Sequence, residues 1–131
     1  MYNNLMDSNL VYVLAQLIII FGILNVWLVR FNKKTNYRGS DANSLKAEFK
    51  AYGYPDWFFY CIGFFKLLFA FTMIAGFWIE NFTTIGSLGV IFLMLGAIVS
   101  HLKVKDTLIK FLPASIMVLL SIFTFVVSIS A

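Results

Sequence analysis

Residues 57–79 read WFFYCIGFFKLLFAFTMIAGFWI, an apolar run whose one charge is Lys66. A helix needs ~20 mostly apolar residues to cross the ~30 Å hydrocarbon core of a bilayer, and this run supplies them. Working outward, three more stretches meet the same criterion. They are residues 10–29, interrupted by Gln16 and Asn25, residues 84–102, and residues 107–130. The last carries Lys110 in its first turn and Pro113 one turn further in. Proline lacks the backbone donor and clashes one turn back, so a kink or a delayed helix start is expected there. Residues 80–83 read as a tight turn, and the link after the third span is also short. Short links force antiparallel neighbours. The expectation is an all-α integral membrane protein: one transmembrane domain over residues 1–131, folded as a four-helix up-down bundle.

Composition points the same way. The chain is 61% hydrophobic and 12% charged, with a mean hydropathy of +0.88. Soluble domains run nearer ~45–50% and ~25%. A soluble domain of this size buries only ~60–70% of the surface its unfolded chain exposes, too little to hide so much apolar area. Soluble enzyme, disordered chain, coiled coil and disulfide-rich secreted domain are therefore set aside. The single cysteine, Cys61, excludes an internal disulfide and CxxC chemistry. It reads as a small buried apolar side chain. No Lys or Arg precedes the first long run, so that run reads as a retained helix rather than a signal peptide.

Nine of the ten basic residues lie in or beside two loops: Arg30, Lys33, Lys34, Arg38, Lys46 and Lys50 in the first, Lys103, Lys105 and Lys110 in the other. The N-terminus, residues 80–83 and the C-terminus carry Asp7 and Glu80 but no base. Under the positive-inside rule both basic loops, including the long loop 30–56, face the cytoplasm and both termini are extracytoplasmic. Abundant Phe, Ile, Asn and Lys fit an AT-rich bacterial genome, so the expected address is the inner (plasma) membrane. The net charge of +4 reads as topology and not as nucleic-acid binding, although such loops also attract anionic head groups. Trp27, Tyr52, Tyr54 and Trp57 are placed at the inner aromatic belt, Tyr12 and Trp78 at the outer. Within the long loop, Leu45, Phe49 and Tyr52 recur at helical spacing over residues 44–52. Gly53 and Pro55 stop the run. This predicts a short amphipathic helix, either on the membrane surface or capping the bundle.

Lys66 carries the most information. A lysine at mid-span costs roughly 2.5–3.5 kcal/mol on insertion scales. It lies nine residues into its span, about 14 Å at 1.5 Å per residue. Gly63 and Ala70 share its face, and small residues admit a neighbouring helix. Lys66 is thus expected to face the bundle, the alternative being a side chain that snorkels to the head groups. Its expected partners are His101, Asp106, Asn25, a water or a ligand. Asp106 is also placed to cap the fourth helix, and His101 fits an interfacial role equally well. Gln16 falls on the face opposite Asn25. Gly86, Gly89, Gly96 and Ser100 form one stripe on the third span, read as a packing seam. No nucleotide-binding, hydrolase or metalloprotease pattern occurs. With one His and one Cys, a metal site is unsupported, and no catalytic residue is assigned.

EFKAYGYPDWFFYCIGFFKLLFAF (residues 48–71) and GAIVSHLKVKD (residues 96–106), with the stretch after Asp106 that includes Pro113, resemble the DoxX-like family of small four-span membrane proteins. The likeness lies in the Gly-Tyr-Pro-x-Trp entry to the second span, the Gly63/Lys66 step and the Gly-Ala…His…Asp segment. Lys105 departs from the glycine that many relatives carry before the Asp. The resemblance implies a membrane subunit of the kind some members form with quinone-linked oxidoreductases. A distant branch includes an assembly chaperone of neuronal receptors.

Two functions follow as expectations. The first is an accessory inner-membrane subunit, not itself an enzyme, with a cytoplasm-facing polar pocket of Lys66, His101, Asp106 and Asn25 for a quinone-like or lipid ligand. The second is an assembly partner that packs against other membrane proteins or itself. Proton-coupled transport ranks third, since four spans are few for a transporter. The topology is directly testable. A reporter fused to the C-terminus should read out as extracytoplasmic, and a cytoplasmic readout would reverse the assignment.

Overall fold

A bilayer core offers no water to backbone N–H and C=O groups, so an apolar run placed there must pair them within itself as a helix. The computed structural model describes residues 2–30, 32–33 and 35–130, with side chains from residue 10 onward. Lys34 and the side chain of Asp7, both part of the charge pattern above, lie outside the described residues. Helix α1 spans Tyr2–Leu24 and continues as a π-helical turn, Asn25–Val29. Helices α2 (Leu45–Ala51), α3 (Asp56–Ala75), α4 (Glu80–Lys103) and α5 (Leu108–Ser130) follow. Four segments are long and apolar enough to cross a membrane: Leu10–Val29, Asp56–Ala75, Glu80–Lys103 and Leu108–Ser130.

The long helices close a ring. α4 packs most extensively on α5 and α3, and α1 completes the ring by packing on the same two neighbours. This is the arrangement of an antiparallel four-helix bundle. Ile19, Ile23, Ala70, Met73 and Val90 sit at its centre with 2% exposure or less. No more than 33% of any span is buried, and Phe64, Phe92 and Leu119 are among the large apolar side chains left outside. Such a surface belongs against lipid. The protein is a small multi-pass integral membrane protein.

Local differences from expectation have local causes. α3 ends at Ala75, not at residue 79, and α4 starts at Glu80, so the turn occupies residues 76–79. Gly76 makes it tight: a Cβ there would collide with the Thr83 side chain. The glycine seam is real at Gly86 and Gly89, where a Cβ would meet Met73 Cγ at 2.5 Å and the Phe69 ring at 2.6 Å. Gly96 is not part of it; nothing lies within 4 Å of its would-be Cβ. α5 runs through Pro113 without starting afresh. Trp27 does not anchor at the membrane boundary. It is 8% exposed, because Gly63 leaves a slot that a Cβ would close at 2.6 Å from its ring. Trp27 also stacks on Phe59 at 5.2 Å. Tyr52 is buried too. Trp57 and Trp78 remain exposed.

α2 caps one end of the bundle. The Ser44 hydroxyl accepts from the Ala47 N–H, Leu45 and Glu48 are buried, and Lys46 and Lys50 face out. It ends in a Schellman motif. The Gly53 N–H donates to Lys50 O and the Tyr54 N–H to Phe49 O, with Gly53 at φ +87°. α4 ends the same way: the Lys105 N–H donates to Leu102 O and the Asp106 N–H to His101 O. There the left-handed position is Lys105, at φ +58°, where glycine is the usual choice. A side chain in this region costs about 1–2 kcal/mol, partly offset by the backbone entropy glycine would lose. Lys105→Gly should therefore raise stability by about 0.5–1 kcal/mol, read as unfolding in detergent. A drop in stability would mean the lysine side chain contributes more than its backbone costs.

Candidate functional site

The two basic loops and the ends of α1, α3, α4 and α5 converge around α2, and there the apolar bundle gives way to a polar cluster. Its centre is Glu48, 7% exposed. The Tyr52 hydroxyl donates to Glu48 Oε1 at 2.6 Å. Arg38 donates to Oε2 at 3.4 Å. His101 Nε2 lies 4.0 Å from Oε1. Burial, and then the nearby Glu48 charge, push the Tyr52 phenol far above its ordinary range, so it stays a neutral donor at physiological pH. Gly39 lets Tyr52 in, since a Cβ there would strike its ring.

Arg38, 5% exposed, ties the long loop to the membrane helices. Its guanidinium donates to Arg30 O at 2.6 Å and Lys33 O at 3.2 Å. Its own carbonyl accepts from Lys110 Nζ at 2.5 Å, and Lys110 also donates to Asp41 Oδ1 at 2.7 Å. On the other side, His101 Nδ1 lies 2.7 Å from Asp106 Oδ2. A carboxylate only accepts, so Nδ1 carries the proton. Asp106 Oδ1 accepts from the Ser40 N–H at 2.9 Å. Both oxygens thus serve the loop and the imidazole and do not cap α5.

Beside this cluster lies a cavity of about 680 Å³ between α1 and α5, floored by Lys66, Met94 and Ala97. That volume falls within the ~300–1,000 Å³ common for ligand pockets. Lys66, His101 and Asn25 border it, and Asp106 stands behind His101. The four residues named from the sequence are therefore brought to one end of the bundle, three of them on the cavity wall. Lys66 makes no hydrogen bond to Asn25, His101 or Asp106. Lys66 is 9% exposed, and no described residue accepts from its Nζ. Its Nζ stands over the Trp27 ring, 5.4 Å from the centroid. Among the described residues no group of three His, Cys, Asp or Glu side chains could hold a metal ion.

Sequence reasoning missed Arg38, Glu48, Tyr52 and the inward role of Lys110. One signal was available: Glu48 falls three residues after Leu45, on the apolar side of a short helix. The DoxX-like family model matches residues 37–124 of the chain. No curated protein and no solved structure matches it.

Removing one partner of a buried ion pair strands the other and costs about 3–5 kcal/mol. Glu48→Ala should cost about 3 kcal/mol, measured as unfolding in detergent. Lys50→Ala, on the exposed side of the same helix, should leave the midpoint in place. Equal effects from the two would show that Glu48 is not the hub.

Proposed function

The chain belongs to the DoxX-like family, and on that premise we propose that it is an accessory membrane subunit whose cavity holds the head group of a quinone-like or lipid ligand. One observation carries the reading. A deeply buried ammonium, Lys66, borders a cavity of about 680 Å³ and has no acceptor among the described residues. Burying a charge without a partner is costly, and a ligand oxygen at that position supplies the missing acceptor. The surrounding groups suit this use. Asp106 fixes the His101 ring, Arg38 neutralises Glu48, and Ile18, Ile116 and Met117 offer apolar wall to a chain. We place the cavity on the cytoplasmic side of a bacterial plasma membrane, following the charge asymmetry of the loops. Partner proteins of such a subunit would then meet its ligand at the basic loops.

The rival reading, an assembly partner without a ligand, expects Lys66 to be paired within the protein. The absence of an acceptor weighs against it.

The test pairs binding with stability. Protein extracted in mild detergent should carry a co-purifying amphiphile, identified by native mass spectrometry and solvent extraction. Lys66→Met should weaken its retention by about tenfold or more, the worth of one charge-assisted hydrogen bond. Met fills a similar volume without charge, so the unfolding midpoint should hold or rise. If Lys66→Met keeps the amphiphile and lowers the midpoint, Lys66 is structural and the pocket reading fails.

A further inference from the structure

The charges around the cavity say more about its occupant than its size does. Four cations border it, Arg30, Arg38, Lys66 and Lys110, against one acid, Glu48. Arg38 is taken up by Glu48 and two backbone carbonyls. Lys110 is taken up by Asp41 and the Arg38 carbonyl. Glu48 is taken up by Arg38 and Tyr52. Lys66 and Arg30 are left, and no described side chain pairs with either. The free valence of the cavity is therefore two cationic donors, the nine-tenths buried Lys66 and the exposed Arg30, beside one neutral donor, Trp27 Nε1.

A quinone accepts a hydrogen bond but leaves positive charge uncompensated. An acidic head group supplies acceptor and countercharge together, and charge-assisted bonds are roughly twice as strong as neutral ones. The lining of the cavity also suits a lipid. It runs from loop residues 35–38 past Arg30 and Lys66 into the groove between α1 and α5. Ile18, at the far end of that groove, lies seven residues from Asn25, about 10 Å along the helix axis. Gly22 keeps the groove open, since a Cβ there would already stand 3.3 Å from Met117 Cε.

We propose, building on the pocket reading above, that the occupant is an anionic membrane lipid. Its acidic head is bound by Lys66 and Arg30, and its chain lies along the α1–α5 groove.

The full-length protein, delipidated in a neutral detergent, is titrated with four probes while bound species are followed by native mass spectrometry. The probes are phosphatidylglycerol, phosphatidylcholine with the same chains, decylubiquinone and inorganic phosphate. Phosphatidylglycerol should bind at least about tenfold tighter than phosphatidylcholine. Lys66→Met and Gly22→Leu should each weaken it by about tenfold. Gly22→Leu blocks the groove without touching a charge and decides the matter if Lys66→Met does not fold. The double variant Lys46→Ala with Lys50→Ala removes exposed surface charge and should leave binding intact. A phosphatidylglycerol preference that survives both cavity variants is loop electrostatics and overturns the proposal, as does equal binding of the two phospholipids. Inorganic phosphate binding as tightly as phosphatidylglycerol overturns the role of the groove. Lys66-dependent binding of decylubiquinone alone overturns the anionic lipid and leaves the pocket reading standing. If no amphiphile binds, both fall.

Discussion

The buried carboxylate of Glu48 is the constraint on which the loop end of this protein depends. It receives Tyr52 from its own helix and Arg38 from the long loop, and it faces His101 from α4. Arg38 in turn reaches back to the carbonyls of Arg30 and Lys33, where α1 hands over to the loop, and offers its own carbonyl to Lys110 of α5. Polar segments of this kind gain little from burying apolar area. What gives the loop one conformation here is that each charge has a single geometry in which its hydrogen bonds are met. Desolvating two ions costs several kcal/mol apiece, so such a pair adds less to stability than to specificity. The benefit is positional: residues far apart in the chain converge on one wall of a cavity.

Set against that saturated network, Lys66 is conspicuous. Arg38 with Glu48, Lys110 with Asp41 and His101 with Asp106 are ion pairs or close contacts. Lys66 has only the Trp27 ring. A cation over an aromatic face gains about 0.5–2 kcal/mol, less than the roughly 2.5–3.5 kcal/mol that a lysine at a span centre costs on insertion scales. The other buried polar atoms left unpaired among the described residues, Gln16 Oε1, Trp27 Nε1, Ser121 Oγ and Thr124 Oγ1, are neutral, and an unmet neutral group costs only about 1–3 kcal/mol. Of these residues only Trp27 borders the cavity. Lys66 combines charge, depth and an adjoining void, and the proposed pocket rests on this combination.

The legible parts of the site were those that broke a pattern. A lysine inside an apolar run, or a His and an Asp closing one, stands out against its neighbours, and Lys66, His101 and Asp106 do converge at one end of the bundle. The four membrane helices were legible for the same reason, since span length and apolarity are local properties. Arg38, Glu48 and Lys110 were not, because in a basic loop another charge is background, and only contacts across 10 to 72 positions of sequence turn them inward. Trp27 and Tyr52 were misplaced by a rule that gives depth but not direction. Gly63 and Gly39 supply slots that draw both toward the interior.

Periodicity also could not foresee the π turn at Asn25–Val29. A 3.6-residue repeat carried to the end of α1 assumes one phase throughout, whereas a π turn adds a residue to the winding and shifts everything beyond it. Within this turn Trp27 packs over Gly63 of α3, while Asn25, Val26 and Trp27 all reach the cavity wall. The turn closes with the Arg30 N–H on Asn25 O at 2.8 Å, and the Arg30 carbonyl beyond it accepts from Arg38. Such bulges are frequent at functional sites because they spend regular winding to re-aim side chains. Here the re-aimed residues lie outside the 37–124 segment that the family model matches, whereas Arg38, Glu48, Lys66, His101 and Lys110 lie inside it. The cavity therefore has a polar wall drawn from the matched segment and a second wall whose form depends on how α1 ends.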